Sequence, residues 1–473
     1  MMIFFRKKKK ENQSKTGKRV YIGKGYLLRY GKLHESKLKT PIEPIYVDDK
    51  YRLSHWLTVG TTGAGKTRFL ENIVQHDILE GYSVAVFDPK PDKELFARIV
   101  YAARKAGRLK DLIVVRIDKP HLSAKVNPFS FYFQPEELIQ HVLAGIPPST
   151  EEFYYNIANE VSSVAIFGKY ILYKLLGEKA PFTVEELRRH ISREGLTKIA
   201  DQLKEVRTTG ELNDPEFEKQ VESIETMLSS LISSPQDYFA KVTSTLRTTL
   251  TSMVVGSVGS IIGSADENIF LKKLLNGEKV ILVVQAPAMV MRNPSFILFR
   301  TILSMIQSLS GNIYLENIGD KGKLDPPLFL HIDEMGEALY HDFINLLNKS
   351  RGAGIGIHGL IQSLSDIESK FRSSATADVL LGNFNTQLFF RVDGVKSAEY
   401  ISKKLGKSKK TNRMIGQGEF MAREEETDIL STQEAISLPD RHFIVFTKKD
   451  NIPVAYKGKT LTVNPVPLKI TLN

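Results

Sequence analysis

The residues best equipped for chemistry lie in Gly60-Thr61-Thr62-Gly63-Ala64-Gly65-Lys66-Thr67, which fits the spacing GxxxxGK[ST]. Glycines at these positions let the backbone curl until several N–H groups point at one phosphate. A helix opening near Lys66 adds the positive end of its dipole. The Lys66 ammonium reaches the β and γ phosphates of ATP, and the Thr67 hydroxyl ligates Mg2+. A matching pair of acids, Asp333 and Glu334, closes the apolar run Leu328-Phe329-Leu330-His331-Ile332. Strand ends of this kind are where α/β sheets place their ligands. Asp333 is suited to hold Mg2+ through water, and Glu334 to orient or activate the attacking water. An acid directly after the metal-binding one favours hydrolysis over transfer to a second substrate. Gln362, at the end of a strand expected from residue 354, is either a γ-phosphate sensor or a strand-end amide in a turn. Arg351 is either a surface arginine or a finger that stabilises transition-state charge at a neighbouring subunit's nucleotide.

These groups need a scaffold, and the pattern around them predicts an α/β fold with a mostly parallel sheet. Strands are expected at 56–59, 82–87 and 112–117, with helices over 66–79 and 95–106 between them. From 135 to 238 the sequence reads as helices with polar joints, broken at Pro147-Pro148 and Gly195. Strand signals return at 279–285, 328–333, 354–360 and 386–392, with shorter ones at 443–447 and 460–463. The division that follows is a disordered basic arm at 1–19, a nucleotide-binding domain in two parts at 20–134 and 239–473, and an inserted all-α domain at 135–238.

Composition narrows the function classes. The 473 residues exceed what one small core needs, and the 42% hydrophobic and 25% charged content is that of a globular protein. The absence of cysteine excludes disulfides and thiolate chemistry, and the ten histidines show no zinc-hydrolase spacing. No apolar run is read as long enough to cross a bilayer. A net charge of +11 favours polyanionic partners, nucleic acid or an anionic membrane surface. Lys7 to Lys10 form a basic run fit for either, or simply a solvated tail.

In order along the chain, these motifs resemble the TraD/TraG-type coupling proteins of conjugative type IV secretion, in the FtsK/HerA branch of P-loop ATPases. Ile22-Gly23-Lys24-Gly25-Tyr26 is similar to the lead-in of one TraD group, and His55 to Thr67 to the family's phosphate loop. Asp88-Pro89-Lys90-Pro91-Asp92 is similar to its DPKGD element, with Pro91 in place of the usual Gly. Asn127-Pro128-Phe129 follows, then Asp333-Glu334, Arg351-Gly352 and Gln362-Ser363, and lastly Leu430-Ser431-Thr432-Gln433-Glu434 before Leu438-Pro439.

The resemblance implies a RecA/FtsK-like P-loop NTPase fold. It also implies Arg351 as a finger in trans, Gln362 as the sensor of nucleotide state, and an all-α domain that helps recognise DNA-processing proteins. The function implied is an ATP-driven DNA translocase that delivers DNA or a relaxosome to a secretion channel. It would act as a homo-oligomer, a hexameric ring, with relaxase and other secretion components as partners. Localisation would be cytoplasmic, at the inner face of the cell membrane. Many relatives begin with two transmembrane helices and none is read here: the chain is either a soluble variant, or one whose membrane part is a separate chain, or a sequence that starts after that part, and the Met1–Lys10 arm could give only peripheral contact. Lys241 and Arg247, Lys403 and Lys404, and Lys407 to Lys410 are each either DNA contacts or plain polar surface. Three other readings stay open: a duplex-DNA pump of the same superfamily, a protein-secretion ATPase, and a docking receptor with little motor activity.

Overall fold

The computed structural model describes residues 18–30, 41–209, 215–263, 267–315, 322–416, 419–462 and 464–466. Lys7 to Lys10 and nearly all of the expected basic arm lie outside the described residues. The strands are β1 (Arg19–Tyr30), β2 (Glu43–Asp48), β3 (Trp56–Val59), β4 (Ser83–Asp88), β5 (Leu112–Arg116), β6 (Ile281–Gln285) and β7 (Leu328–Ile332). They continue with β8 (Ile355–Ile361), β9 (Thr386–Phe389), β10 (Lys407–Gly416), β11 (Glu419–Asp428), β12 (His442–Lys449) and β13 (Ile452–Lys459).

Eleven of them form one sheet in the order β2-β1-β13-β12-β9-β3-β8-β7-β4-β6-β5. From β9 to β5 every pairing is parallel; from β2 to β9 every pairing is antiparallel. Strands β3, β4, β6, β7, β8 and β9 are buried at every residue, as parallel strands covered on both faces must be. This is the α/β, mostly parallel fold expected from the sequence.

Between β5 and β6 the chain is helical, with helices Pro135–Ala144, Glu152–Leu175, Val184–His190, Arg193–Thr209, Pro215–Ser233 and Gln236–Val254. The last runs straight across residue 238. These helices share one continuous apolar core with the sheet, in which Leu138, Val142, Leu246 and Leu250 are buried in the same cluster as Phe299 and Leu330. Gly195, expected at a break, lies in the first turn of helix Arg193–Thr209, packed so closely on the preceding helix that an added Cβ would meet the Arg189 carbonyl oxygen at 2.4 Å.

Three sequence expectations need correction. Helix Arg292–Leu315 is, by length and composition, apolar enough to cross a membrane, with a mean hydropathy of 1.2, but 83% of that window is buried in the core. Among the described residues the last strand is β13, and 460–462 are not in a strand; Val463 lies outside the described residues. Asp450 and Asn451, at φ 50° and 66°, make a tight turn out of β12. Pro453 is tolerated because it pairs only with Lys448 and lies past the end of the β1 ladder. The Lys407 to Lys410 run is part of β10, in a separate hairpin whose register sets Lys409 opposite Glu426 and Lys410 opposite Glu425. Lys404 donates to Gln387 Oε1 at 2.5 Å and to the Tyr400 hydroxyl at 3.2 Å, and burial pushes its ammonium down to about 8, which leaves no free cation there for DNA. Lys403, by contrast, is exposed beside Glu399.

Buried histidines make the fold sensitive to acid. His55 Nδ1 accepts from the Ile357 N–H (3.1 Å) while Nε2 donates to the Leu347 carbonyl (2.7 Å), an arrangement only the neutral ring satisfies. Burial, with Arg351 nearby, lowers its pKa to about 4, and burial lowers that of His141 to about 3. The unfolded chain binds protons to these rings below ~6.5, so stability falls as pH drops from there toward their folded values. We expect each to cost about 2 kcal/mol between pH ~7 and ~5. Urea denaturation across that range checks this, and the loss should be smaller in His141→Gln.

Candidate nucleotide site

The phosphate loop follows β3 and opens helix Lys66–Leu79, as its sequence requires. Gly63 and Gly65 hold φ of 81° and 111°, a region closed to most side chains. Gly60 is needed for another reason: an added Cβ would meet Phe390 Cβ at 2.8 Å. The loop is fixed from beneath by Gly60 N–H to the Ile361 carbonyl (3.2 Å) and Thr61 N–H to the Arg391 carbonyl (2.9 Å). Lys66 Nζ donates to the Gly60 and Thr61 carbonyl oxygens. Burial lowers its pKa, against the pull of Asp333, Glu334 and Asp366. A half-buried ammonium held by loop carbonyls, at the N-terminus of helix Lys66–Leu79, fits a polyphosphate.

β7 delivers Asp333 and Glu334 to the same sheet edge, with only β8 between β7 and β3. Asp333 is 4% exposed, and burial raises its pKa while Lys90 opposes that. Glu334 holds φ 48°, ψ 44°, a left-handed conformation that starts the short helix Met335–Ala338. Its Oε1 pairs with Lys90 Nζ at 2.8 Å. Burial works to lower the Lys90 pKa, but Glu334, Asp333 and Asp88 raise it overall. The donor set suits Mg2+: Thr67 and Asp333 would hold the ion, which would supply charge neutralisation to phosphate oxygens.

Gln362 follows Ile361, the β8 partner of Val59, and so lies beside Gly60; its N–H donates to Asp366 Oδ2 at 3.0 Å. Arg351 is elsewhere. It precedes β8 at the opposite edge of the sheet, roughly 20 Å away along the strand at ~3.3 Å per residue. Within one chain, Arg351 does not meet the phosphate loop.

Two groups near the site escaped sequence reading. Lys90 lies in Asp88-Pro89-Lys90-Pro91-Asp92, a loop built around buried Asp88, which accepts from Lys90 N (3.0 Å), Asp92 N (2.7 Å) and Gln285 Nε2 (3.2 Å). Pro91 takes φ 24°, a glycine-like value at the position where the resembling motif has Gly. Arg441, just after Leu438-Pro439, donates its N–H to the Ala64 carbonyl (3.1 Å) and packs within 3.3 Å of where a Gly65 Cβ would stand. Its proximity to the loop comes from chain reversal at β12, which no local pattern announces.

Beneath the site runs a buried polar chain. Asp77 Oδ2, in the loop's own helix, accepts from Arg52 Nη2 (2.7 Å) and His331 Nε2 (2.9 Å). His331 Nδ1 lies 3.2 Å from His358 Nδ1, and His358 Nε2 lies 2.9 Å from Thr58 Oγ1. His331 and Thr58 stand two residues before Asp333 and Gly60. Burial alone would raise the Asp77 carboxyl, but the Arg52 charge and the His331 hydrogen bond hold it down at about 2.

Known proteins match this chain in two ways. Residues 327–440 match the family TraG-D_C, described as the TraM recognition site of TraD and TraG. A stretch of 101 residues is 30% identical to the type 4 coupling protein DotL of Legionella pneumophila, covering 19% of this chain and 13% of that relative. The chain thus spans only a small part of the curated relative it matches. In fold, it is similar to the bacterial conjugative coupling protein TrwBdeltaN70 (TM-score 0.64, 16% identity, 89% of this chain and 88% of that one). Plasmid coupling protein TrwB in complex with the non-hydrolysable GTP analogue GDPNP is similar over 96% of this chain and 97% of its own (TM-score 0.63, 16% identity). VirB4 of Thermoanaerobacter pseudethanolicus is similar over 95% and 98% (TM-score 0.51, 12% identity). The resemblance to TraD/TraG-type coupling proteins is borne out, in sequence over the family match and in fold over most of the chain.

Asp77→Asn would take from the buried Arg52 guanidinium one of its two carboxylate partners, leaving only Asp49 at 2.9 Å. We expect a loss of about 3 kcal/mol in urea unfolding, while Glu368→Gln, which removes an exposed pair with Lys396, stays near wild type.

Proposed function

We propose that this chain is an ATP-driven DNA translocase acting as a coupling protein, which delivers DNA or a relaxosome to a conjugative type IV secretion channel. One observation carries the motor reading. The phosphate loop, Asp333, Glu334 and Gln362 share one sheet edge, while Arg351 stands at the other, so a finger role requires a second subunit. A ring, taken here as a hexamer, meets that requirement. Lys66 holds the β and γ phosphates of ATP, and Thr67 and Asp333 hold Mg2+. Glu334 orients the attacking water and takes its proton as the bond to ADP breaks. Arg351 of the neighbouring subunit balances the charge that develops, and Gln362 reports whether the γ-phosphate is present. Loss of that phosphate shifts the subunit interface and moves DNA past it.

The match of residues 327–440 to a TraM recognition site supports a docking role for that segment toward relaxosome proteins. The binding of ADP and Mg2+ by TrwB supports the nucleotide assignment. The helical segment between β5 and β6 serves in this reading as the all-α domain that meets DNA-processing partners, with the molecule working at the inner face of the membrane.

The test is steady-state ATPase activity without DNA, with single strands and with duplex. DNA should stimulate hydrolysis. Lys66→Ala and Arg351→Ala should each lower kcat by about 10³-fold or more. Mixing the two variants should restore activity, because each supplies the residue the other lacks. Hydrolysis indifferent to DNA, or undiminished in Arg351→Ala, would sink the motor reading; preference for duplex would favour a duplex pump.

A second measurement concerns binding alone. Mg-ATP at about 100 times its Kd should stabilise the chain by about 2.7 kcal/mol. Thermal shift should show this in wild type and lose it in Lys66→Ala.

A further inference from the structure

A cavity of about 500 Å³ lies between the hydroxyl face of helix Gln236–Val254 and the start of helix Arg292–Leu315. Ser244, Thr245, Thr248, Thr249 and Ser252 line one wall. Their spacing at three and four residues puts the hydroxyls on one stripe of the helix. Lys241 and Arg247, the charged residues of the same stretch, do not line it. The opposite wall carries Arg292, Arg300 and Lys370 against a single carboxylate, Glu337.

That carboxylate is shared. Glu337 Oε1 pairs with Arg292 Nη2 (3.1 Å) and Oε2 with Lys370 Nζ (2.7 Å), while its backbone carbonyl accepts from Arg300 Nη2 (3.0 Å). Arg300 is 7% exposed, and its Nε is buried with no hydrogen-bond partner among the described residues. Burial lowers its pKa to about 10, against the pull of Glu337. A guanidinium buried this deeply, with one donor unspent, in a cavity of surplus positive charge, calls for an anion. The short helix that carries Glu337 begins at Glu334, and the Glu337 N–H donates to the Glu334 carbonyl (2.9 Å).

We propose that this cavity seats the phosphodiester backbone of a DNA strand, and that Glu337 transmits its occupancy to Glu334. The proposal rests on the DNA-translocase reading and names the strand contact that reading leaves open. Hydroxyl donors and cations are the usual phosphate contacts, and they read no sequence. An acidic peptide would also need apolar anchors, and here Pro147, Phe296 and Ile297 are few beside the hydroxyls and cations. A phosphate that engages Arg292 and Lys370 competes with Glu337 for both. Its release frees the Met335–Ala338 turn, and with it the backbone that sets Glu334. Strand binding and water activation are then linked through one carboxylate.

The experiment uses the full chain with a fluorescently labelled single-stranded oligonucleotide, followed by anisotropy over a salt series. The Arg292→Ala/Lys370→Ala double variant should bind at least about tenfold more weakly. Its slope of log affinity against log salt should be shallower by about 1 to 2. Thr248→Glu, an exposed helix position where folding is checked by circular dichroism, should weaken binding to a similar degree. Glu337→Gln should do the reverse: tighter binding, because the cations are freed, and a DNA-free ATPase rate closer to the stimulated one. Wild-type affinity and slope in both the double variant and Thr248→Glu overturn the proposal. A poly-glutamate peptide that competes as well as the oligonucleotide overturns the phosphodiester assignment. Wild-type protein that binds no DNA at all overturns the translocase reading as well, which separates that failure from failure of the cavity alone.

Discussion

The Asp77 carboxylate, buried in the helix that follows the phosphate loop, is the constraint on which the site depends. A charge in that position is tolerated only because Arg52 and His331 meet it at 2.7 and 2.9 Å. Those partners come from a short helix ahead of β3 and from the middle of β7, so the pairing fixes the loop's helix against the sheet. The chain continues through His358 to Thr58 and thereby crosses β7, β8 and β3. Side chains two apart on a strand share a face. The register that joins His331, His358 and Thr58 therefore also sets the heights at which Asp333 and Gly60 leave the sheet.

The same economy holds at the other edge. His55 uses both ring nitrogens to tie β8 and the Leu347 carbonyl of helix Phe343–Ser350 to the start of β3. Arg351 caps that helix. One strand, β3, thus carries the phosphate loop at one end and, at the other, the ring that steadies the helix leading to Arg351. A shift of β3 along its axis would be felt at both ends.

Much of this was legible in the sequence because the signals were local. The loop spacing, the helix over Lys66–Leu79 and the apolar run ending in Asp333 each state their own structure. What was missed depended on distant partners. Lys404 reads as a surface cation until Gln387 and Tyr400 close over it. Helix Arg292–Leu315 reads as an ordinary mixed segment, because the sheet and the inserted helices that bury it are far away in sequence. Ser244 and Thr248 carry no signal of their own in the sequence, since the cavity they line is completed by Arg292 and Lys370.

The sheet order has a bearing on how the molecule is made. β1 pairs with β2 and β13 and with no strand between them in sequence, while β13 reaches the rest of the sheet only through β12. During synthesis β1 and β2 are made before the nucleotide core, yet their berth does not exist until β12 and β13 have been made. The two strands must wait with an open edge, through translation of the whole nucleotide core, and pairings of such long sequence separation form slowly. Protection of that edge by a chaperone during elongation is the kind of help this topology invites.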